Sequence, residues 1–260
     1  KELKPFSYQG ILMSKEFDTY TNNRKISLSV ELCLFFIEKI TLFYNELAFS
    51  FHYEFKDLRP FQWHNWENHS DGLFKINLNY TSIIELKKYK NFEEYLHSIR
   101  KVRRQEYLKY IRDDFIIEES KDINLLNKLH KKTYERQNVE RSENDKNLCK
   151  ISGKLSLDRG CGRLVFCKDK KGNYVSGCLF VFEDKTAYYL IGASDPKYRN
   201  VISGSYLVLD QIKHFMNLSF DFIDMCGVNS PGRGDFKTSF NGNIKTFYTT
   251  SLSNEIAKTY

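Results

Sequence analysis

Three short segments, joined by links too tight to cross a sheet, constrain the fold of this chain more than anything else in it. Residues 162–169, 174–183 and 186–194 are rich in β-branched and aromatic side chains. They are separated only by Lys170-Lys171-Gly172-Asn173 and by Asp184-Lys185. Links this short force antiparallel neighbours, so a three-stranded meander is expected. A helix over 203–217 follows, with Val208, Leu209, Ile212, Phe215 and Met216 on one stripe, and then a strand over 220–225. Strand, helix and strand form a crossover that brings the helix start and the loop after the second strand to one end of the sheet. A ligand is expected at that end. The helix opens at Ser203-Gly204-Ser205, where unpaired amides and the helix dipole suit a phosphate.

The preceding chain reads as a mixture of helices and strands. A short strand is expected over 6–13, a buried helix over 27–46 and an alternating strand over 48–55, with Phe49, Phe51, Tyr53 and Phe55 on one face and Ser50, His52 and Glu54 on the other. The stretch from Arg59 to Trp66 has neither period and holds both tryptophans, Trp63 and Trp66, beside His64. It suits either a ligand wall or a loop plugged onto the core. Strands over 73–78 and 80–86 come next, then one helix over 91–112 whose basic residues, Arg100 to Arg104 and Lys109, read as a solvated face in preference to a phosphate contact. A strand over 115–118 and a helix over 123–138 ending in the polar Tyr134-Glu135-Arg136 lead to a charged connection over 139–146 and a short helix over 148–157. The last strand is expected over 246–252.

Composition narrows the setting. Hydrophobic residues at 41% and aromatics at 15% indicate a packed core, and no apolar run is long enough for a membrane helix. The six cysteines lack zinc-knuckle spacing and read as reduced, core-filling thiols, so a cytoplasmic protein is expected, without a metal. A net charge of +7 favours anionic partners.

The order of Ala193-Ser194-Asp195, Tyr198-Arg199, Ser203-Gly204-Ser205, Phe222-Ile223-Asp224 and Phe236-Lys237-x-x-Phe240 resembles the Fem-like branch of the GNAT acyltransferase superfamily. Arg100 to Arg104 and Thr133 to Arg136 fit that branch as well. The resemblance runs from about Leu73 onward. It implies an α+β fold, a mixed and mostly antiparallel sheet flanked by helices, with a degenerate GNAT-like half over 1–90 and a GNAT domain carrying the acyl-donor site over 91–260. It further implies acyl transfer to an amine. The two strands around the helix would splay, so that free backbone amides hold the acyl carbonyl.

On that resemblance the donor site comprises Gly192, Ala193, Ser194, Arg199, Ser203, Gly204 and Ser205. Lys237 matches the lysine of the Phe-Lys pair and would stabilise the oxyanion. Asp224 either orients the amine or caps the following loop, and His64 or His52 is the alternative base. His130 and His214 read as structural. Acceptor contacts fall to Glu54, Arg59, Trp63, His64, Trp66, Tyr134 and Arg136. The expected activity is transfer of a short acyl group from acyl-CoA to the amino group of a nucleotide-linked (dTDP-type) amino sugar, in bacterial surface-polysaccharide synthesis. The runner-up is aminoacyl transfer from tRNA to a peptidoglycan precursor, with the basic helix as docking surface. The third reading is a non-catalytic binding module.

Overall fold

A computed structural model describes residues 8–136, 138–198 and 203–253. In chain order its elements are α1 (Asn22–Thr41), β1 (Glu46–Ser50), α2 (Arg59–Trp63), β2 (Lys75–Glu85), α3 (Phe92–Ser98), α4 (Lys101–Arg112), β3 (Ile116–Ser120), α5 (Ile123–Arg136), α6 (Glu143–Asn147), a π-turn (Leu148–Gly153), α7 (Lys154–Asp158), β4 (Gly162–Lys168), β5 (Tyr174–Glu183), β6 (Thr186–Ser194), α8 (Ser203–Asn217), β7 (Phe222–Asp224), α9 (Pro231–Thr238) and β8 (Asn243–Ser253). No helix among the described residues is long and apolar enough to cross a membrane.

Two compact units divide the chain. Among the described residues the larger runs from Thr81 to Ile244; the smaller runs from Tyr8 to Tyr80 and takes in Lys245 to Ser253. The division therefore falls ten residues before the expected 90/91 boundary, and the C-terminal strand belongs with the N-terminal segment. Its physical reason is pairing: β8 runs antiparallel to β1, from Glu46 opposite Ser253 to Ser50 opposite Thr249. The small unit is held by an aromatic cluster in which Phe49, Phe51, Phe61 and Phe74 lie within ring-contact distance of one another, with Ile37 and Leu252 buried against them.

In the large unit the strand order is β2-β7-β6-β5-β4-β3, antiparallel throughout except for the parallel pair β6 and β7. The meander and α8 stand where the sequence places them. Alternation sorts the side chains of β4 to the two faces. Val165 and Cys167 join a core with Tyr95, Phe180, Val208, Ile212 and Phe215, while Leu164 and Phe166 join another with Leu126, Leu129, Leu179 and Ile191. Each such buried side chain contributes about 1.5–3 kcal/mol.

Several expectations are corrected. The first helix begins at Asn22, and β1 ends at Ser50, one ladder bond from the Phe51 amide to the Tyr248 carbonyl following it. The two strands expected over 73–86 are the single β2. The helix over 91–112 breaks at Ile99 and Arg100, both extended, where the Arg100 amide donates to the Ser239 carbonyl instead of to its own helix. The charged connection holds the short α6, and the glycine-rich loop after β7 contains α9. The strand expected over 6–13 reduces to a bridge between Gln9 and Ser50, its first two residues lying outside the described ones.

Candidate active site

Strands β6 and β7 meet only at Thr186 opposite Phe222, Ala187 opposite Ile223 and Tyr188 opposite Asp224; from Tyr189 to Ser194, β6 pairs with no strand on that side among the described residues. Its far end is drawn toward α5. The Thr133 hydroxyl donates to the Ser194 carbonyl at 3.1 Å and accepts from the Ser194 amide at 3.1 Å, and Lys132 pairs with Asp195 at 2.5 Å. A register shift between Leu179 and Phe180 leaves Leu190 bulged out of the β5 ladder, which re-aims the backbone at the opening. Free edge amides beside a bulge are a ready receptor for a carbonyl oxygen.

A cavity of about 780 Å³ fills this opening. The β6 residues Tyr189 to Ser194 form one wall, Ser203 and Gly204 of α8 a second, Thr133 and Tyr134 of α5 a third, and Cys226, Arg233, Phe236 and Lys237 close it. Lys237 is 7% exposed, and its ammonium donates to the carbonyls of Cys226 (2.6 Å) and Gly227 (3.0 Å). Burial, with help from Arg233, pulls its pKa from 10.5 down to about 8 against the opposing pull of Cys226 and Asp224. The same ammonium lies 5.4 Å from the centre of the Tyr189 ring. Burial holds the Tyr189 phenol well above its ordinary value, so it stays a donor. That ring rests on Gly192, where a Cβ would stand 1.8 Å from the phenol oxygen.

The α5 end of the cavity is polar. Tyr134 lines it with Asp145 and Arg233, and burial first, then the Asp145 charge, raises the Tyr134 pKa. His130 is 8% exposed, stacks edge-on to Tyr134, and has no partner for Nδ1 among the described residues. Burial first, then Arg141 and Arg233, push His130 down to about 4, so it is a neutral imidazole. His130, Asp145 and Arg233 escaped the sequence reading because each sits on a segment read as structural helix, connector or loop.

Of the residues singled out from sequence, Gly192, Ala193, Ser194, Ser203, Gly204, Tyr134, Arg136 and Lys237 converge on this cavity. Ser205 does not reach it. Ser205 is fully buried, and its hydroxyl donates to Glu106 at 2.6 Å. Asp224 is also fully buried; one carboxylate oxygen accepts from Thr81 and from the Cys226 amide at 2.8 Å, which is the loop-capping geometry. Arg199 lies outside the described residues. Glu54, Arg59, Trp63, His64 and Trp66 belong to the small unit. There Arg59 grips Asp57 at 2.6 and 2.8 Å and covers the Trp63 ring, His64 packs on Phe74, Glu54 is exposed, and Trp63 and Trp66 line a shallow hollow with Asn65 and Asn68. The basic run is engaged internally: Arg100 pairs with Asp235, Arg103 with Glu106, and Arg104 meets His97. Among the described residues no cluster of His, Cys, Asp or Glu is placed to hold a metal ion.

A profile of the FemAB family matches residues 86–250, well over half of the chain. No curated protein matches in sequence. Among solved structures, FemX superposes with a TM-score of 0.55 at 17% identity, over 65% of this chain and 61% of its own. L-PGS from Bacillus licheniformis aligns with a TM-score of 0.48 at 10% identity, over 72% of this chain and 65% of its own. An acetyltransferase of the GNAT family from Staphylococcus aureus Mu50 aligns at 0.40 and 14%, over 52% of this chain and 97% of its own. The FemX likeness is one of fold, and this chain spans about three-fifths of that protein.

Proposed function

Because this chain belongs to the FemAB family, we propose that it is an aminoacyl transferase, moving an aminoacyl group from its ester on tRNA to an amino group of a peptidoglycan precursor. The observation that carries this reading is the coincidence of the family match with the β6–β7 opening and Lys237, all within residues 86–250. Support for the nucleotide-sugar alternative is weaker. The residues that suggested a sugar wall, Trp63, His64 and Trp66, are not among those lining the cavity.

The chemistry needs few groups. The donor carbonyl enters the opening and accepts from the free β6 backbone amides. The acceptor ammonium loses one proton to solvent, and the free amine attacks the carbonyl carbon. Negative charge gathers on the carbonyl oxygen, where Lys237 and the amides stabilise it, and the carbon–oxygen bond to the ribose breaks as that oxygen takes up the second proton, shed by the attacking nitrogen. The Tyr189 phenol, held protonated at the same wall, is a donor within the cavity. Holding both reactants in one cleft supplies much of the acceleration.

Three mixtures test the proposal: protein and an amino-bearing peptidoglycan precursor with charged tRNA, protein and the same precursor with acetyl-CoA, and protein with acetyl-CoA and a nucleotide-linked amino sugar. New amide in the first alone is expected. Product in either acetyl-CoA mixture, with none from tRNA, would overturn it.

A further inference from the structure

The α5 end of the cavity holds opposite charges that do not neutralise each other. Asp145, Arg233 and Tyr134 all line this end, yet Asp145 and Arg233 form no ion pair with each other, and Asp145 makes none with any described residue. A carboxylate and a guanidinium lining one cavity end would ordinarily close on each other. Here the carboxylate is turned to the Ser142 hydroxyl at 2.5 Å, and Arg233 stands on the exposed first turn of α9. His130, edge-on to Tyr134 in the same lining, is nine-tenths buried and has a ring nitrogen without a partner among the described residues. Arg136, also lining this end, adds a second cation. Opposite charges that do not pair, sharing one cavity end with an unsatisfied neutral imidazole, suit a ligand that is itself dipolar.

We propose that this end of the cavity is a subsite for an α-amino acid head group, an ammonium and a carboxylate on one carbon, with Asp145, Tyr134 and His130 taking the ammonium and Arg233 and Arg136 the carboxylate. Its assignment to the acceptor rests on the reading above. In an aminoacyl donor the carboxylate is esterified, so a head group with both charges comes from the acceptor. The protein would thus prefer an acceptor whose recognised amine has a carboxylate beside it over one with a bare alkylamine.

Glycine is the smallest complete probe, and acetate and methylammonium are its halves. In an amide NMR titration, glycine should shift signals of residues 130–136, 142–146 and 232–236 at concentrations at least tenfold below those needed of either half. Arg233→Gln, an exposed position, should abolish that advantage. Asp145→Asn should do the same, and His130→Phe should weaken glycine severalfold. Equal response to all three probes, shifts confined to other regions, or an unaltered glycine response in Arg233→Gln would overturn the proposal. Transfer assays separate it from the functional reading. Two acceptors are compared, one with a carboxylate beside the amine and one with a carboxamide there. Transfer to both alike, unaffected by Arg233→Gln, sinks the subsite and leaves the aminoacyl-transfer reading intact. Glycine binding as described, with transfer to neither, sinks that reading and leaves the subsite.

Discussion

Lys237 permits a test in which stability and activity move in opposite directions with pH. Its ammonium is buried against two carbonyls, and its pKa falls from 10.5 to about 8. At 1.36 kcal/mol per pH unit, the fold disfavours the charged form by about 3 kcal/mol. The folded value lies below the unfolded one. Above pH about 8 the folded chain has released a proton that the unfolded chain keeps to about 10.5, so stability rises with pH across that window and is flat below it. Catalysis needs the ammonium, so turnover should fall above pH about 8. Lys237→Arg keeps the charge at all working pH values and should erase this alkaline limb. Lys237→Met should lower turnover at neutral pH by about 10²–10³-fold, the usual loss for one oxyanion donor, and should also remove the rise in stability. Initial rates and thermal unfolding, each measured from pH 6.5 to 10, read both effects. An alkaline limb identical in all three proteins, or neutral-pH turnover of Lys237→Met close to that of the unaltered chain, would refute the role.

Further expectations concern the frame of the cavity. Gly192→Ala places a methyl 1.8 Å from the Tyr189 phenol oxygen, so the ring must swing; turnover should collapse while melting shifts little, as kinetics and calorimetry would tell. Asp224→Asn disturbs a buried carboxylate that accepts from Thr81 and the Cys226 amide, and a stability loss of about 1–3 kcal/mol is expected in urea titrations. An unchanged midpoint would count against the capping role. Arg103→Ala leaves Glu106 nearly buried without its partner and should cost about 3 kcal/mol, whereas Arg100→Ala at the exposed Asp235 pair should cost under about 1 kcal/mol; equal costs would contradict this assignment.

Elements governed by local rules were legible. The meander and α8 follow from turn chemistry and side-chain period alone, and both stand at the expected residues. The splay of β6 from β7 came through the resemblance, and the hydrogen bonds that hold it, from Thr133 and Lys132, do not announce themselves in the chain. Helix α9 was hidden by its own composition. Pro231-Gly232-Arg233-Gly234 reads as a loop, yet proline is well tolerated in a first helical turn, and Gly234 is required because a Cβ there would stand 2.6 Å from the Val228 carbonyl oxygen. The break between α3 and α4 depends on a bond from Arg100 to Ser239, a residue far along the chain, and no local period records it.

Charge count and charge placement lead to different conclusions in this molecule. The excess of +7 and the run Arg100 to Arg104 together suggest a basic docking face on α4. In the fold, Arg100 and Arg103 bind carboxylates and Arg104 meets His97, so most of that run serves packing. At the cavity, Arg136 and Arg233 make no ion pair with any described residue, and the Lys237 ammonium bonds two carbonyls and no carboxylate. Asp195 is taken by Lys132; burial, the largest single influence, would raise its pKa, but the Lys132 hydrogen bond, the Lys197 amide and both ammonium charges together keep it low. Asp145 is then the carboxylate lining the cavity that no described cation pairs with. Among the described residues the cavity has more unpaired cations than unpaired carboxylates, which favours anionic reactants overall, and Asp145 fixes where an ammonium can sit.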